Sequence, residues 1–141
     1  MSEAVLEKVE TATAPVKGGV VAYLQVDGAL AAAEFYTRAL GAEVVGGQPP
    51  DEQGRTMHVH LYINDGSVML CDPYPEHGFA SAAPQAFILT LQVDDADAWW
   101  TRAIEAGCTS VVEVEDMFWG DRYGQVRDPY GVVWAFNQPL G

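Results

Sequence analysis

The sequence is poor in two features that define large classes of proteins, namely long apolar runs and basic residues. No apolar stretch approaches the ~20 residues needed to cross a bilayer, and residues 1–17 lack the apolar core of a secretory signal. Only 7 Lys and Arg stand against 20 Asp and Glu, which gives a net charge of −13. This charge repels nucleic-acid backbones and anionic lipid. We therefore expect a cytoplasmic protein without nucleic-acid or membrane partners.

Cysteine and the common catalytic motifs are also scarce. Cys71 and Cys108 are the two cysteines, and they have no CxxC spacing. In a chain without an export signal, this pattern predicts small buried residues rather than a disulfide or a zinc site. The chain has no GxGxxG, no Walker-type phosphate loop and no GxSxG elbow, which argues against nucleotide use and against a serine hydrolase.

What the chain does contain is a duplication. The segment Leu24-Gln25-Val26-Asp27 recurs as Leu91-Gln92-Val93-Asp94, and Asp27 and Asp94 lie 67 residues apart. The glycines that close the following helical stretches, Gly41 and Gly107, are 66 apart, and two later turn glycines, Gly66 and Gly131, are 65 apart. Anchors at nearly constant spacing predict two similar halves in tandem.

Hydrophobic periodicity gives each half the order βαβββ. In the first half a strand within Gly19–Val26 leads through Asp27, a predicted N-cap, into a helix that Gly41 ends. The apolar stripe of this helix is formed by Ala29, Ala32, Ala33, Tyr36 and Leu40. A strand at 42–46 follows, and the Asn64-Asp65-Gly66 turn predicts a hairpin between 57–64 and 67–72.

The second half repeats this order with strands at 87–93, 109–114, 121–127 and 132–137 and a helix at 95–106. The predicted fold class is α+β, with two tandem βαβββ modules. We expect a flexible N-terminal tail over residues 1–17, a first module over 18–72, a proline-containing linker over 73–85 and a second module over 86–138. Halves of this size are marginal alone, which predicts one shared domain.

The order of elements and several motifs resemble the glyoxalase, bleomycin-resistance and extradiol-dioxygenase superfamily, also called vicinal oxygen chelate proteins. The resemblance covers roughly residues 18–138 and includes Val26-Asp27 before the first helix, Phe35-Tyr36 and Leu40-Gly41-Ala42 at its end, and Asp128-Pro129-Tyr130-Gly131 before Trp134. The segment from Phe118 to Gly124 resembles a bacterial subgroup of glyoxalase-like proteins. The shared fold does not by itself determine the function.

This resemblance implies a curved mixed sheet around a cleft, and it implies a homodimer, since family members commonly pair. Metal enzymes of the family carry His or Glu ligands at positions that fall near Val21, Leu70, Ile88 and Ala135. All four residues are apolar and cannot donate a lone pair to a cation. We therefore expect no metal site and no cofactor.

Histidine is rare, and two of the three histidines are neighbours on one predicted strand. His58 and His60 are two residues apart, so both side chains are expected on one face, where they could bind a metal or serve acid–base catalysis together with Asp72. His77 could supply a further ligand only if the linker folds back. The alternative, which we favour, places one histidine at the lining of the cleft and bonds the other locally.

A second candidate cluster occupies a five-residue segment of the second half, Trp119 to Tyr123. Trp119 and Tyr123 could form stacking walls for a ligand, with Asp121 or Arg122 fixing its polarity. In the structural alternative Arg122 pairs with Asp128 and the aromatic rings cap the core. Trp134, beside an expected metal position, could fill the space of the metal and is included among the ligand-binding candidates.

Two functions follow as hypotheses. The preferred one is metal-independent binding of a small aromatic or cationic molecule in the cleft between the modules, as in the antibiotic-binding branch of the superfamily. The alternative is an enzyme of the same superfamily, a lyase, isomerase or dioxygenase that uses His58, His60 and Asp72. A third class, a structural module without a ligand, predicts a cleft filled by side chains.

Overall fold

The computed structural model of the chain describes residues 3–11 and 14–141. Contacts within the chain divide it into two units. One covers the residues up to Thr37 together with Gly41–Ala82, and the other covers Arg38–Leu40 together with Ala83–Gly141. Each unit contains its own four-stranded sheet.

The elements follow the predicted order with one addition at the start. The first group comprises α1 (Glu3–Thr11), β1 (Ala22–Gln25), α2 (Ala29–Leu40), β2 (Glu43–Gly47), β3 (Val59–Ile63) and β4 (Gly66–Cys71). A short 3-10 helix, Pro75–His77, follows. The second group comprises β5 (Leu89–Gln92), α3 (Ala96–Ala106), β6 (Thr109–Asp116), β7 (Asp121–Arg127) and β8 (Val133–Pro139).

The two sheets have the same topology. The strand orders are β1-β4-β3-β2 and β5-β8-β7-β6. In each sheet the first strand pairs in parallel with the last, and the remaining neighbours are antiparallel. The α+β class and the two tandem βαβββ modules are therefore confirmed. The repeated Leu-Gln dipeptides end β1 and β5, where they occupy equivalent places beside β4 and β8.

Local turn chemistry explains the β3–β4 hairpin. Asn64 and Asp65 form its two-residue loop, and their φ angles of 50° and 64° are both positive. This is the type I′ geometry that matches the twist of paired strands, and Asn and Asp tolerate it better than most residues. The predicted hairpin is confirmed.

Each sheet has one apolar and one polar face. In the first sheet the apolar face carries Leu24, Val59, Leu61, Val68 and Leu70, which are all buried. In the second sheet the apolar face carries Leu89, Leu91, Val126, Trp134 and Phe136. Helix α3 packs against this second apolar face: the rings of Trp99 and Phe136 have centroids 6.0 Å apart, and a Cβ on Gly124 would lie 3.1 Å from Trp100 Cδ1. Because the apolar faces form the core, a ligand site is expected on the polar faces.

The N-terminal segment differs from the expected flexible tail. Residues Glu3–Thr11 form helix α1, and its Val5 and Val9 are buried. The helix lies beside β2, where Val9 Cγ1 is 3.2 Å from the position of a Cβ on Gly47. Val5 and Val9 are four residues apart and therefore lie on one side of the helix. The segment thus has the pattern of an amphipathic helix, which explains the difference from the expected tail.

None of the helices among the described residues has the length and hydropathy of a membrane span.

Candidate functional site

Four rings line the polar face of the first sheet. Tyr23 comes from β1, His60 and Tyr62 come from β3, and His58 directly precedes β3. The ring centroids of His58 and His60 are 6.4 Å apart, and those of Tyr23 and His58 are 5.8 Å apart. The two-residue spacing therefore does bring both imidazoles to one face of the strand, as predicted.

The hydrogen bonds of His58 determine which ring nitrogen carries its proton. Tyr23 Oη donates to Met57 O at 2.9 Å, and the same oxygen lies 3.0 Å from His58 Nδ1. Because a phenol has only one proton to donate, Nδ1 must be the donor in the second bond. In neutral His58 the lone pair is then on Nε2, for which no partner exists among the described residues.

His60 is held locally. Its Nε2 lies 2.7 Å from Ser67 Oγ, which also accepts a hydrogen bond from Lys17 N at 2.7 Å. The side chain is only 4% exposed. The two histidines thus differ: the Nε2 of His58 has no partner among the described residues, whereas the Nε2 of His60 is bonded to Ser67 and its side chain is buried.

Asp72, the third residue of the catalytic hypothesis, has a structural task. Its Oδ1 accepts hydrogen bonds from the backbone N–H groups of Gly28 at 2.7 Å and Ala29 at 3.2 Å, and its Oδ2 accepts one from Thr56 at 2.8 Å. The carboxylate therefore caps the N-terminus of α2. The predicted cap by Asp27 is wrong: Asp27 is exposed, and the residue at the cap position is Gly28, with φ 97° and no side-chain bond.

The polar face of the second sheet carries two groups of hydrogen-bonded polar side chains. Asn137 Nδ2 donates to Gln92 Oε1 and to Asp121 Oδ2, both at 3.0 Å. Gln125 Nε2 donates to the hydroxyl of Tyr123 at 2.8 Å. Gln92, Gln125 and Asn137 were missed by sequence reasoning. Their signal was the period-two alternation along β5, β7 and β8, which places every second side chain on one face.

An aromatic pair stands at one end of this polar face. Trp119 lies in the turn between β6 and β7 and is 49% exposed, and its ring contacts that of Tyr123 edge-on at 5.6 Å. Asp121 lies between them in sequence, and no basic side chain of the described residues pairs with its carboxylate. Two aromatic rings and an unpaired acid are suited to a ring-shaped cation.

Arg122 and Trp134 do not belong to this cluster. Arg122 is held by two acids, with Nε 2.6 Å from Asp97 Oδ2 and Nη1 2.9 Å from Asp116 Oδ1. The structural alternative, in which Arg122 pairs with Asp128, is therefore wrong. Trp134 is 1% exposed on the apolar face, where its indole Nε1 donates to Asp128 Oδ2 at 2.8 Å. As a core residue, Trp134 is not accessible to a ligand.

Comparison with known proteins identifies the family of the chain. Residues 18–136 match the sequence pattern of the glyoxalase/bleomycin resistance protein/dioxygenase superfamily. The chain belongs to this superfamily. An uncharacterized protein of Mycobacterium bovis is 40% identical over 124 residues, which cover 84% of this chain and 81% of that protein.

Solved structures agree with the assignment. TioX from Micromonospora sp. ML1 is 27% identical with a TM-score of 0.68, and the match covers 87% of this chain and 99% of TioX. TnmS3, an antibiotic binding protein from Streptomyces sp. CB03234, is also 27% identical, with a TM-score of 0.63 and coverage of 92% and 98%.

The metal positions of the superfamily can now be located. Leu70 lies on the apolar face and is fully buried, whereas Ala135 alternates with Trp134 and lies on the polar face. Val21 and Ile88 directly precede β1 and β5. In the part of the chain that the structure describes, no group of three or more His, Cys, Asp or Glu residues is placed to hold a metal ion. Metal-free binding remains a prediction.

The two thiols are free, as expected. Cys71 is half-buried and Cys108 is buried. Burial raises the pKa of the Cys108 thiol to about 12, with a further contribution from the charge of Asp128. Burial likewise raises the pKa of Cys71. A thiolate nucleophile is therefore disfavoured at both positions.

The histidine pair makes the stability of the protein depend on pH. Burial lowers the pKa of His58 and of His60 below the value of 6.5, and for His60 the charge of His58 adds to this effect. The unfolded chain then binds more protons than the folded chain below pH 6.5, so stability is fully present above that pH and is lost as pH falls through the lowered pKa. We expect the free energy of unfolding, measured with urea, to fall from pH 7 to pH 5.

Replacement of both histidines by glutamine should flatten this dependence between pH 7 and pH 5. A His77→Gln variant is the control, because His77 is exposed in the 3-10 turn. An unchanged slope in the double variant would show that other groups cause the pH dependence.

Proposed function

We propose that the protein binds a small, planar, cationic aromatic molecule, reversibly and without metal, at the polar face of the second sheet. Trp119 and Tyr123 supply the stacking surfaces, and the carboxylate of Asp121 supplies the complementary charge. The observation that carries this proposal is the unpaired carboxylate of Asp121 beside two rings whose centroids are 5.6 Å apart.

The arrangement around Asp121 supports a fixed rather than a mobile site. Asn137 is 8% exposed and its amide donates both to Asp121 and to Gln92, so one carboxylate oxygen is held in place. A pre-positioned acceptor lowers the ordering cost of binding. The net charge of −13 also attracts cations over a longer range.

The family relationship supports the same class of function. TnmS3, which has the same fold, is described as an antibiotic binding protein. The enzyme alternative has lost part of its support, because Asp72 is 3% exposed and its two oxygens accept three backbone hydrogen bonds. His58 would have to act without it.

Isothermal titration calorimetry with proflavine, a planar aromatic cation, tests the proposal. We expect saturable binding by the wild type and about tenfold weaker binding by Trp119→Ala, because stacking and cation–π contacts of this kind contribute about 1 to 2 kcal/mol. Asp121→Asn should weaken binding similarly by removing the negative charge.

The matched control is Phe118→Ala. Phe118 neighbours Trp119, contacts its ring at 5.1 Å and is 97% exposed, but among the described residues Trp119 and not Phe118 contacts the ring of Tyr123. Its loss should change the affinity by less than about twofold. If Phe118→Ala weakened binding as much as Trp119→Ala, or if Asp121→Asn bound proflavine like the wild type, the proposed site would be wrong.

A further inference from the structure

We propose a second ligand site in the second unit, a pocket that binds a small aromatic carboxylate through Arg127. A cavity of about 220 Å³ lies at the far end of the polar face of this sheet. Its lining comprises Pro84, Gln85, Ala86, Phe87, Arg127, Gly131 and Val133. This volume is below the ~300 to 1,000 Å³ of pockets for drug-sized molecules, so the expected ligand is a single substituted ring.

Arg127 differs from most of the other basic residues in having no partner. Of the six other Lys and Arg residues, three are paired with acids: Lys17 with Asp65, Arg55 with Asp51 and Glu76, and Arg122 with Asp97 and Asp116. A fourth, Arg102, donates its Nε–H to the carbonyl oxygen of Arg38, and Arg38 also has an interaction of its own. Within residues 3–11 and 14–141, no hydrogen bond or ion pair holds the guanidinium of Arg127. An arginine left unpaired among 20 acidic residues, at the wall of a cavity, is available to an anion from solution.

The side chains that line the cavity determine which class of anion it binds. A guanidinium is planar and presents parallel N–H donors that match the two oxygens of a carboxylate. Phe87, which is 43% exposed, lines the same cavity and offers a ring face or edge to an aromatic ligand. Together they favour a carboxylate attached to an aromatic ring over a small inorganic anion, which would leave the ring of Phe87 unused.

The backbone positions these groups. Ala86 has φ 66°, a left-handed conformation that is strained for a non-glycine residue, and it connects Gln85 to Phe87. Gly131 in the same lining has φ 88°, and a Cβ there would lie 3.3 Å from Pro84 Cδ. A side chain at position 131 would therefore be strained and would crowd Pro84.

This site is separate from the one under Proposed function. Arg127 lies four residues along β7 from Tyr123, which is about 13 Å in an extended strand. The two sites also prefer opposite charges. A ring-sized ligand at Arg127 therefore does not contact Trp119, and loss of one site leaves the other intact.

Titration of the full chain with 4-fluorobenzoate, followed by ¹⁹F NMR, tests the pocket. We expect saturable binding by the wild type and at least about tenfold weaker binding by Arg127→Gln, because a bidentate charge-assisted contact is lost. Lys8→Gln is the matched control: it makes the same change in net charge at an exposed position on α1, and it should bind like the wild type. Phe87→Ala should weaken binding severalfold and provides a second variant should Arg127→Gln not fold.

Two further probes test whether the pocket recognises both the negative charge and the aromatic ring. The neutral isostere 4-fluorobenzamide should bind about tenfold less well than 4-fluorobenzoate, and inorganic phosphate should not displace 4-fluorobenzoate. No saturable binding of 4-fluorobenzoate, equal binding by Arg127→Gln, or full displacement by phosphate would each overturn the proposal. Proflavine affinity should be unchanged in Arg127→Gln, which separates this test from that of the Trp119 site.

Discussion

Replacement of Asp72 by alanine is expected to destabilise the protein by about 3 kcal/mol, which corresponds to a fall of about 10 °C in the thermal midpoint. The side chain is 3% exposed and accepts hydrogen bonds from the N–H groups of Gly28, Ala29 and Thr56. Without the carboxylate, two of these donors lose their partner at the start of α2 and one loses it between β2 and β3. Buried N–H groups without partners are costly.

Urea unfolding monitored by circular dichroism measures this effect, and Asp27→Ala provides the comparison. Asp27 is the acid that the sequence places at the helix start, but it is exposed and makes no cap bond there. Its removal should change the free energy of unfolding by less than about 0.5 kcal/mol. Asp72→Asn, which keeps the size but not the charge, should fall between the two. Equal effects of Asp27→Ala and Asp72→Ala would contradict the capping role of Asp72.

Asp128→Ala is expected to cost about 3 kcal/mol in the second unit. Its Oδ1 accepts hydrogen bonds from Tyr130 N at 2.8 Å and Val132 N at 3.0 Å, and its Oδ2 accepts one from the indole of Trp134. The loss would free the turn before β8 and leave a buried indole N–H without a partner. A double-mutant cycle with Trp134→Phe should give a coupling energy of about 1 kcal/mol or more for the shared hydrogen bond.

Arg122→Gln is the control for this second prediction. If Arg122 were paired with Asp128, as in the structural alternative of the sequence analysis, the two substitutions would have similar effects. In the structure Arg122 contacts Asp97 and Asp116 at exposed positions, where ion pairs contribute little. Arg122→Gln should therefore change the urea midpoint far less than Asp128→Ala. Absence of coupling between positions 128 and 134 would show that their hydrogen bond does not contribute to stability.

The two stability predictions also bear on the function. Asp72 and Trp134 were both candidates for a site, and in the structure each is engaged in the fold around it. The candidates that remain accessible are His58 with its free Nε2, and Trp119, Asp121 and Tyr123 beside the buried amide of Asn137. Membership of the superfamily therefore does not determine the ligand, which depends on a few exposed side chains on each polar face.

Sequence reasoning located the cluster at 119–123 because aromatic and charged residues are concentrated there, and it predicted a strand over 121–127. The structure places Asp121 and Tyr123 on strand β7, so they alternate with core positions and share a face with Gln125 and Arg127. Gln92 on β5 and Asn137 on β8, which lie on the same face, were missed. Alternation in a short, polar strand is a weak signal beside the apolar periodicity of its neighbours.

The sequence by itself determined the order of the elements, the duplication and the β3–β4 hairpin. These depend on hydrophobic periodicity and turn chemistry within a few residues, such as the positive φ angles of Asn64 and Asp65. Only the tertiary structure decided that Asp72 caps α2, that Arg122 pairs with Asp97 and Asp116, and that Arg127 is left unpaired at a cavity. Partners that lie 25 or more residues apart, as in the pairs Asp72–Gly28 and Arg122–Asp97, are brought together by strand register and helix packing, and no local pattern encodes which of several acids reaches a given donor.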